Sequence, residues 1–399
     1  MLELEDALKK ILAAIPPPDF ESIALSEAAG RVLGERVCAP IDLPAFDNSA
    51  MDGFAVRASD VALANANNPA QLRVIGRVAA GGMFSGEVPA GSCVRVFTGS
   101  PLPRGADAVV MQEDTRMQGP ADVLVVESVK SGENVRRQGE DVHKGSVVSE
   151  AGDRIGLGQL GLFSAAGIAR VKVGRRPGAG VLATGSELKQ AGERLELGQI
   201  YESNRLMLSQ LVQRAGAFVR IFPLIPDTLG ATRQGLEQAF SECDIVVTSG
   251  GASVGEMDFV KQGFTDAGGD LQFWKVAIRP GRPFIFGRWK RKLLFGLPGN
   301  PVSALVTFLL LVRPALLRWQ GARDVSLQTH PGVLAEPLSN PGNRRHFMRV
   351  RIDTGGKVHS SGVQGSHMLN SLALANGLVD IPADTTLQMG QNVKVMRWD

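Results

Sequence analysis

The sequence predicts an α/β multidomain chain: a doubly wound α/β domain accompanied by a mostly β domain, a small helical or mixed domain and a C-terminal β domain. Three observations predict it. From residue 179 to about 320, strand-like runs alternate with helical patterns, as in a parallel sheet covered on both faces. Residues 42 to 140 instead carry short alternating segments between Gly, Pro, Asn and Asp clusters, a pattern of strands joined by long loops. Finally, 399 residues are too many for one ordinary core.

Taken in order, Leu4, Leu8, Ile11, Leu12 and Ile15 recur at helical spacing, and Pro16-Pro17-Pro18 stops that helix. FAVR (54–57) and CVRVFTG (93–99) read as strands of the β domain. Residues 151–173 return to a helix and a strand, and GRRPG (174–178) reads as a linker. GVLATG (180–185) is a strand running into a turn. The helix after it has Leu208, Leu211, Val212 and Ala215 on one face and Gly216 as its stop. FVRIFPLI (218–225), DIVVTSGG (244–251) and KLLFGLPGNP (292–301) are further strands, with Leu229, Leu236, Ala239 and Phe240 lining a helix between the first two. Asn300 and Pro301 suit the N-cap and first turn of an apolar helix. Beyond residue 323 the helical pattern gives way to short strands: HFMRVRI (346–352), KVHSS (357–361), GLVDI (377–381) and NVKVM (392–396). This places domains at 1–41 with 142–175, at 42–141, at 176–323 and at 324–399.

Composition excludes several classes. Hydrophobic residues at 44% and charged residues at 21% make an ordinary globular chain. A net charge of +3 is too small to argue for nucleic acid or a membrane surface as partner. Cys38, Cys93 and Cys243 form no CxxC pair, which argues against a disulfide scaffold and fits a reducing cytoplasm. The acidic opening MLELEDALKK does not resemble a signal peptide. The apolar run Val302–Val312, broken by Arg313, reads as a buried helix too short to span a bilayer. No P-loop, HExxH, GxSxG or GxGxxG motif is present.

In open α/β sheets ligands bind beyond the carboxyl ends of the strands. Three strand ends carry unusual loops: Thr184 to Glu187, Pro226-Asp227, and Ser249 to Asp258, with Leu297 to Pro301 expected to join them. In the third loop Gly250, Gly251 and Gly255 allow close backbone approach to an anion, and Ser249 and Ser253 add hydroxyls. Asp258 suits Mg²⁺ held between protein and phosphate. A lone loop of this kind is more often a plain turn; Glu187 and Asp227 at the same edge favour a nucleotide or phosphate site with a cation. Lys275, Arg279 and Arg282 lie in a Pro- and Gly-shaped loop that suits a polyanion as well as it suits a solvated turn. Taken alone, Asp52-Gly53 reads as a hairpin turn, the 136–141 segment as a solvated charge cluster and His367 as a surface residue.

Together, PAFDNSAMDGFAVR, VFTGSPLPRGADAVVMQE, NVRRQGED, SGGASVGEMDF, FWKVAIRPGRPF and GLPGNPVSA, in that order, resemble the molybdopterin molybdenumtransferase family, which includes bacterial MoeA and the E domain of gephyrin. The resemblance runs over essentially the whole chain. It implies an elongated homodimer whose 1–41 plus 142–175 domain forms the dimer, and an α/β domain similar to that of molybdopterin adenylyltransferases, with which transient contact is expected. It implies a cleft shared between the α/β domain of one subunit and the SAMDG-bearing domain of the other. The implied reaction inserts molybdate into adenylated molybdopterin, with Mg²⁺, and releases AMP. By resemblance Asp52 and Asp141 are functional acids, with Thr98 and Arg136 as cleft neighbours. Glu187, Asp227 and Asp258 are acids of the nucleotide and cation region. Lys275, Arg279 and Arg282 face the pterin phosphate or molybdate, Pro298 and Asn300 belong to the substrate loops, and Ser366 lies near the cleft. Ser186 stands where the family usually has Asp, and Arg279 and Arg282 replace lysines. Arginine keeps the charge but does not release a proton. A non-enzymatic scaffold of the gephyrin type and a nucleotide hydrolase sharing only the α/β domain are the competing readings.

Overall fold

The structure is a computed structural model that describes residues 1–251 and 259–398. The sheet of the α/β region orders six strands as Phe218–Ile225, Gly178–Thr184, Ile245–Ser249, Lys292–Leu297, Pro283–Trp289 and Asp270–Lys275. The first four pair in parallel. The last two are antiparallel, because Pro283–Trp289 turns straight back into Lys292–Leu297 and needs no crossover. The sheet expected to be parallel is therefore mixed at one edge.

Helices cover both faces. On one, Leu208, Leu211 and Val212 of helix Asn204–Arg214 share a core with Val181, Val247, Phe284 and Phe295. On the other, Leu236, Ala239 and Phe240 of helix Leu229–Glu242 pack with Leu182, Val246 and Phe264. Strands buried on both sides have to be apolar throughout, and Ile245–Ser249 is buried at every position.

Two expectations are corrected here. The apolar helix does not stop at Arg313 but runs from Pro301 to Trp319, 19 residues that are almost wholly buried. A π turn at Phe308–Val312 absorbs the missing N–H of Pro314, and the Arg313 guanidinium is turned aside to the carbonyls of Val325 and Ser326. By length and composition this helix is long enough to cross a membrane, yet it is the core helix of the α/β sheet. Second, the helix Leu4–Ala14, assigned from sequence to the mixed region 1–41 plus 142–175, packs elsewhere. Its Leu4, Ala7 and Ile11 lie in the α/β core with Phe308 and Leu316.

The rest of the mixed region has its own core. Phe20–Ala24 pairs with Arg170–Gly174, and Ile23, Leu33 and Val173 pack on Phe163 of helix Leu157–Ala165. The segment read as a linker is pinned by a two-pronged pair between Arg175 and Asp244, both contacts at 3.2 Å.

The β region orders six strands as Ala108–Met111, Gly53–Val56, Ser92–Val96, Ala70–Val78, Asp122–Val125 and Thr115–Gln118. Gly53 is not a hairpin turn residue. It opens a strand paired on both sides, and a Cβ there would lie 2.0 Å from the carbonyl oxygen of Val110. At the C-terminus, Arg345–Ile352, Lys357–Ser360, Thr329–Leu334, Asn392–Arg397 and Gly377–Ile381 pair in a closed ring, since the last also pairs with the first. Met348, Val350, Val358, Val379 and Val395 fill this small barrel.

Gly53→Ala is expected to destabilise the chain by about 1–3 kcal/mol, the cost of overpacking where backbone cannot yield. A urea midpoint unchanged from the parent would refute the close-approach argument.

Candidate active site

The carboxyl ends of all four parallel strands open at one edge of the α/β sheet. A cleft of about 1230 Å³ lies there, closed on its far side by residues 364–367 and by Arg344 of the C-terminal barrel. Of the residues singled out from sequence, Glu187, Asp227, Ser249, Gly250, Gly251, Arg279, Arg282, Pro298, Asn300 and Ser366 all line it.

The glycine loop is shaped by steric demand. Gly250 and Gly251 have φ of 88° and 63°, and added Cβ atoms would each meet a neighbour at 2.5 Å, the Thr184 carbonyl and the Val260 side chain. Asn204, which the sequence reading missed, ties this loop to the next one. Its amide donates to Ser249 Oγ at 2.7 Å and to the Gly299 carbonyl at 2.6 Å. Asn204 Oδ1 and Thr184 Oγ1 are buried at the wall of the cleft without partners among the described residues, two acceptors suited to a ligand donor. The available signal was a polar Ser-Asn pair at a helix start.

Asp227 and Ser186 bond reciprocally. The Asp227 amide donates to Ser186 Oγ at 3.0 Å, and the Ser186 amide donates to Asp227 Oδ2 at 3.3 Å. The serine departure thus fastens the first loop to the second. Glu187 and Asp227 carry no ion pair among the described residues, within which no cluster of three acidic, His or Cys groups forms a metal centre. Two cleft carboxylates nevertheless fit a cation such as Mg²⁺, which commonly binds through one or two carboxylates plus substrate phosphate. Ser253, Gly255 and Asp258 lie outside the described residues.

Opposite the acids, Arg279, Arg282 and Arg344 converge, and none has an acidic partner among the described residues. Burial, then the charges of Arg282 and Arg279, hold the Arg344 guanidinium below its ordinary pKa. Arg344 was not foreseen because it comes from the barrel, donating to the Ile278 carbonyl at 3.1 Å. Asn300 does not use its side chain as a helix cap; its Nδ2 donates to Ser366 Oγ at 3.0 Å. Behind Ser366 the fully buried Arg349 donates to the carbonyls of Val363 and Gly365 and to Ser371 Oγ, holding the barrel loop in shape.

Five expected residues lie elsewhere. Lys275 is not in the cleft; its ammonium sits 3.6 Å from the ring centre of Trp274. Asp52, Thr98, Arg136 and Asp141 do not line the cleft either. The β region does bring Asp52 and Thr98 together: the Thr98 amide and hydroxyl donate to Asp52 Oδ1 at 2.8 and 2.9 Å. These two bonds, the amide first, hold the Asp52 carboxyl below its ordinary pKa. Arg136 lies on the strand Val135–Arg136 paired with Asn48–Ser49, and the Asp141 amide donates to the Leu43 carbonyl at 3.0 Å. Cys93 and Cys243 are pushed up by burial to about 12 and about 11, so neither is a ready nucleophile.

A mixed α/β sheet whose strand-end loops and basic wall enclose a large cleft defines a class of protein suited to an anionic ligand. Three family models match in order: the MoeA N-terminal region (domains I and II) at residues 2–167, a probable molybdopterin binding domain at 180–318, and the MoeA C-terminal region (domain IV) at 331–398. The chain is 41% identical over 382 residues to a molybdopterin molybdenumtransferase of Haemophilus influenzae, covering 94% of this chain and 93% of that one. It is 34% identical to a protein of the same name from Bacillus subtilis, over 99% and 94% of the two chains. The crystal structure of a molybdopterin biosynthesis MoeA protein from Pyrococcus horikoshii OT3 superposes over 100% of both chains with a TM-score of 0.85 at 33% identity. The chain belongs to the molybdopterin molybdenumtransferase family.

His346 is 1% exposed with neither ring nitrogen partnered among the described residues, and burial followed by the charges of Arg279, Arg349 and Arg344 lowers its pKa from 6.5 to about 4. A lowered folded-state pKa means that the unfolded chain binds the proton more readily. Stability is then full above pH 6.5 and drains away as pH falls toward about 4. The urea midpoint should drop across that window, and His346→Leu should flatten the drop. An equal drop in the variant would contradict the assignment.

Proposed function

We propose that this chain inserts molybdate into adenylated molybdopterin and releases AMP, the last step of molybdenum cofactor synthesis. The observation that carries this reading is the trio Arg279, Arg282 and Arg344 in the cleft beside Ser366, without acidic partners among the described residues. Molybdate is a tetrahedral dianion, and converging guanidiniums bind such oxyanions through charge-assisted hydrogen bonds. The glycine loop with Ser249 would receive a phosphoryl group through backbone amides. Glu187 and Asp227, with Asp258 from outside the described residues, would hold Mg²⁺, which supplies charge neutralisation at phosphoryl oxygens when bound. Arg279 and Arg282 act here as anion ligands and not as proton donors.

Asp52 and Asp141, with Thr98 and Arg136, are proposed to act on the cleft of a partner protomer in a homodimer. Their absence from the cleft of their own chain supports this reading. An Asp52 held ionised by Thr98 is suited to orient a water or accept a proton as the phosphoanhydride breaks. The protein is placed in the cytoplasm, where a molybdopterin adenylyltransferase would deliver the substrate.

Purified protein given adenylated molybdopterin and Mg²⁺ should release AMP on addition of molybdate and yield a pterin that carries molybdenum. Nucleotide binding without release would overturn the reading. Asp52→Ala and Asp141→Ala should each abolish insertion with the fold retained; normal turnover would remove that residue from the chemistry. If the cleft is shared, co-expressed Asp52→Ala and Asp227→Ala chains should regain part of the activity that each lacks alone. No recovery in a dimer verified by light scattering would place the whole site within one chain.

A further inference from the structure

A second cavity, of about 350 Å³, lies away from the cleft, where the mixed region, the α/β helices and the end of the last barrel strand meet. Arg154, Arg214, Arg313 and Arg397 line it, with Trp398 as its aromatic surface. No acidic side chain is among the described residues around it. Arg154 donates to the carbonyls of Gly30 and Arg214, and Arg313 to those of Val325 and Ser326. Neither these two nor Arg214 has a carboxylate partner among the described residues. Burial, and after it the charge of Arg154, lowers the pKa of the Arg313 guanidinium, while Asp324 pulls weakly the other way.

Like charges gathered around one space repel, and an anion between them relieves that repulsion. The bland alternative is that Arg214 merely sits at the C-terminal end of its helix and Arg313 merely ties down residues 325–326. That accounts for each arginine singly and not for their convergence on one cavity with an aromatic wall.

We propose that this cavity is a second ligand site, for a small phosphate monoester that carries an aromatic ring. Three or more guanidiniums match a phosphoryl dianion better than a single carboxylate, because each planar fork can engage two oxygens. The volume exceeds what one phosphoryl group needs and falls in the range of small-ligand pockets. The ring would lie against Trp398, with arginine stacking on its face. A ligand here would bridge helix Asn204–Arg214 to the end of strand Asn392–Arg397, and so fasten the barrel that carries Arg344 and Ser366 to the α/β sheet.

The probe is phenyl phosphate, followed by tryptophan fluorescence and by thermal melting of the full chain, with inorganic phosphate in parallel. Saturable quenching that disappears in Trp398→Phe, and a raised melting temperature, are expected. Inorganic phosphate should bind more weakly than the ring-bearing ester. Arg214→Gln and Arg154→Gln, both at exposed side chains, should each weaken binding by about tenfold or more, and Arg282→Gln in the main cleft should leave it unchanged. No saturable response, equal affinity in Arg214→Gln and Arg154→Gln, or loss confined to Arg282→Gln would overturn the proposal.

Discussion

The two-residue strand Ile278–Arg279 pairs in parallel with Arg345 and His346 of the C-terminal barrel. The residues just before it, Asp270–Lys275, form the edge of the α/β sheet, and the strand Pro283–Trp289 returns to that sheet. The chain therefore leaves one sheet, borrows a bond from another and comes back within a few residues. This pairing positions Arg279 and Arg282 in the cleft, sets the barrel over the strand ends, and brings Arg344 beside them. Arg345 reinforces it by ion-pairing with both Asp380 of the barrel and Glu5 of the N-terminal helix. Without the pairing the cleft would lose its basic wall and its cover together.

The two sides of the cleft are built differently. The acidic and glycine-bearing side follows from strand ends in a parallel sheet, where every loop emerges at the same edge. Its precision comes from cross-loop bonds, Asn204 between Ser249 and Gly299, and Ser186 against Asp227. The basic side has no such scaffold of its own. It relies on one buried cation, Arg349 beneath the barrel loop, and on the buried, neutral His346 near Arg279. Unpaired arginines at the surface of that layer are costly in isolation and become favourable when an anion arrives, which is the electrostatic logic of an oxyanion-binding enzyme.

Much of this was legible in the residues. The alternation of strand and helix between 179 and 320, the strand Phe218–Ile225 with its given ends, and the short strands after 323 follow from periodicity, because burial on one or both faces leaves its mark in every residue. The loops that make the cleft were recognised because Gly, Asp and Ser gather at strand ends, and the family was recognised because six motifs occur in order. What escaped was non-local. Nothing near Arg344 or Asn204 in sequence signals a partner sixty or more residues away, yet Arg344 meets Ile278 and Asn204 meets Gly299. The helix Leu4–Ala14 has an apolar stripe that would fit any core, and only packing shows that it serves the α/β sheet.

By itself, then, the sequence determined many of the elements and the family, because local periodicity, steric demands on glycine and ordered motifs are properties of neighbouring residues. The tertiary structure decided which of those residues share a space. It gathered Glu187, Asp227, three arginines and the glycine loop into one cleft, and it kept Asp52 and Asp141 out of the cleft of their own chain. It also drew four arginines into a second cavity. Those outcomes depend on how sheets stack and chains cross, through contacts between residues far apart in sequence, which no local pattern encodes.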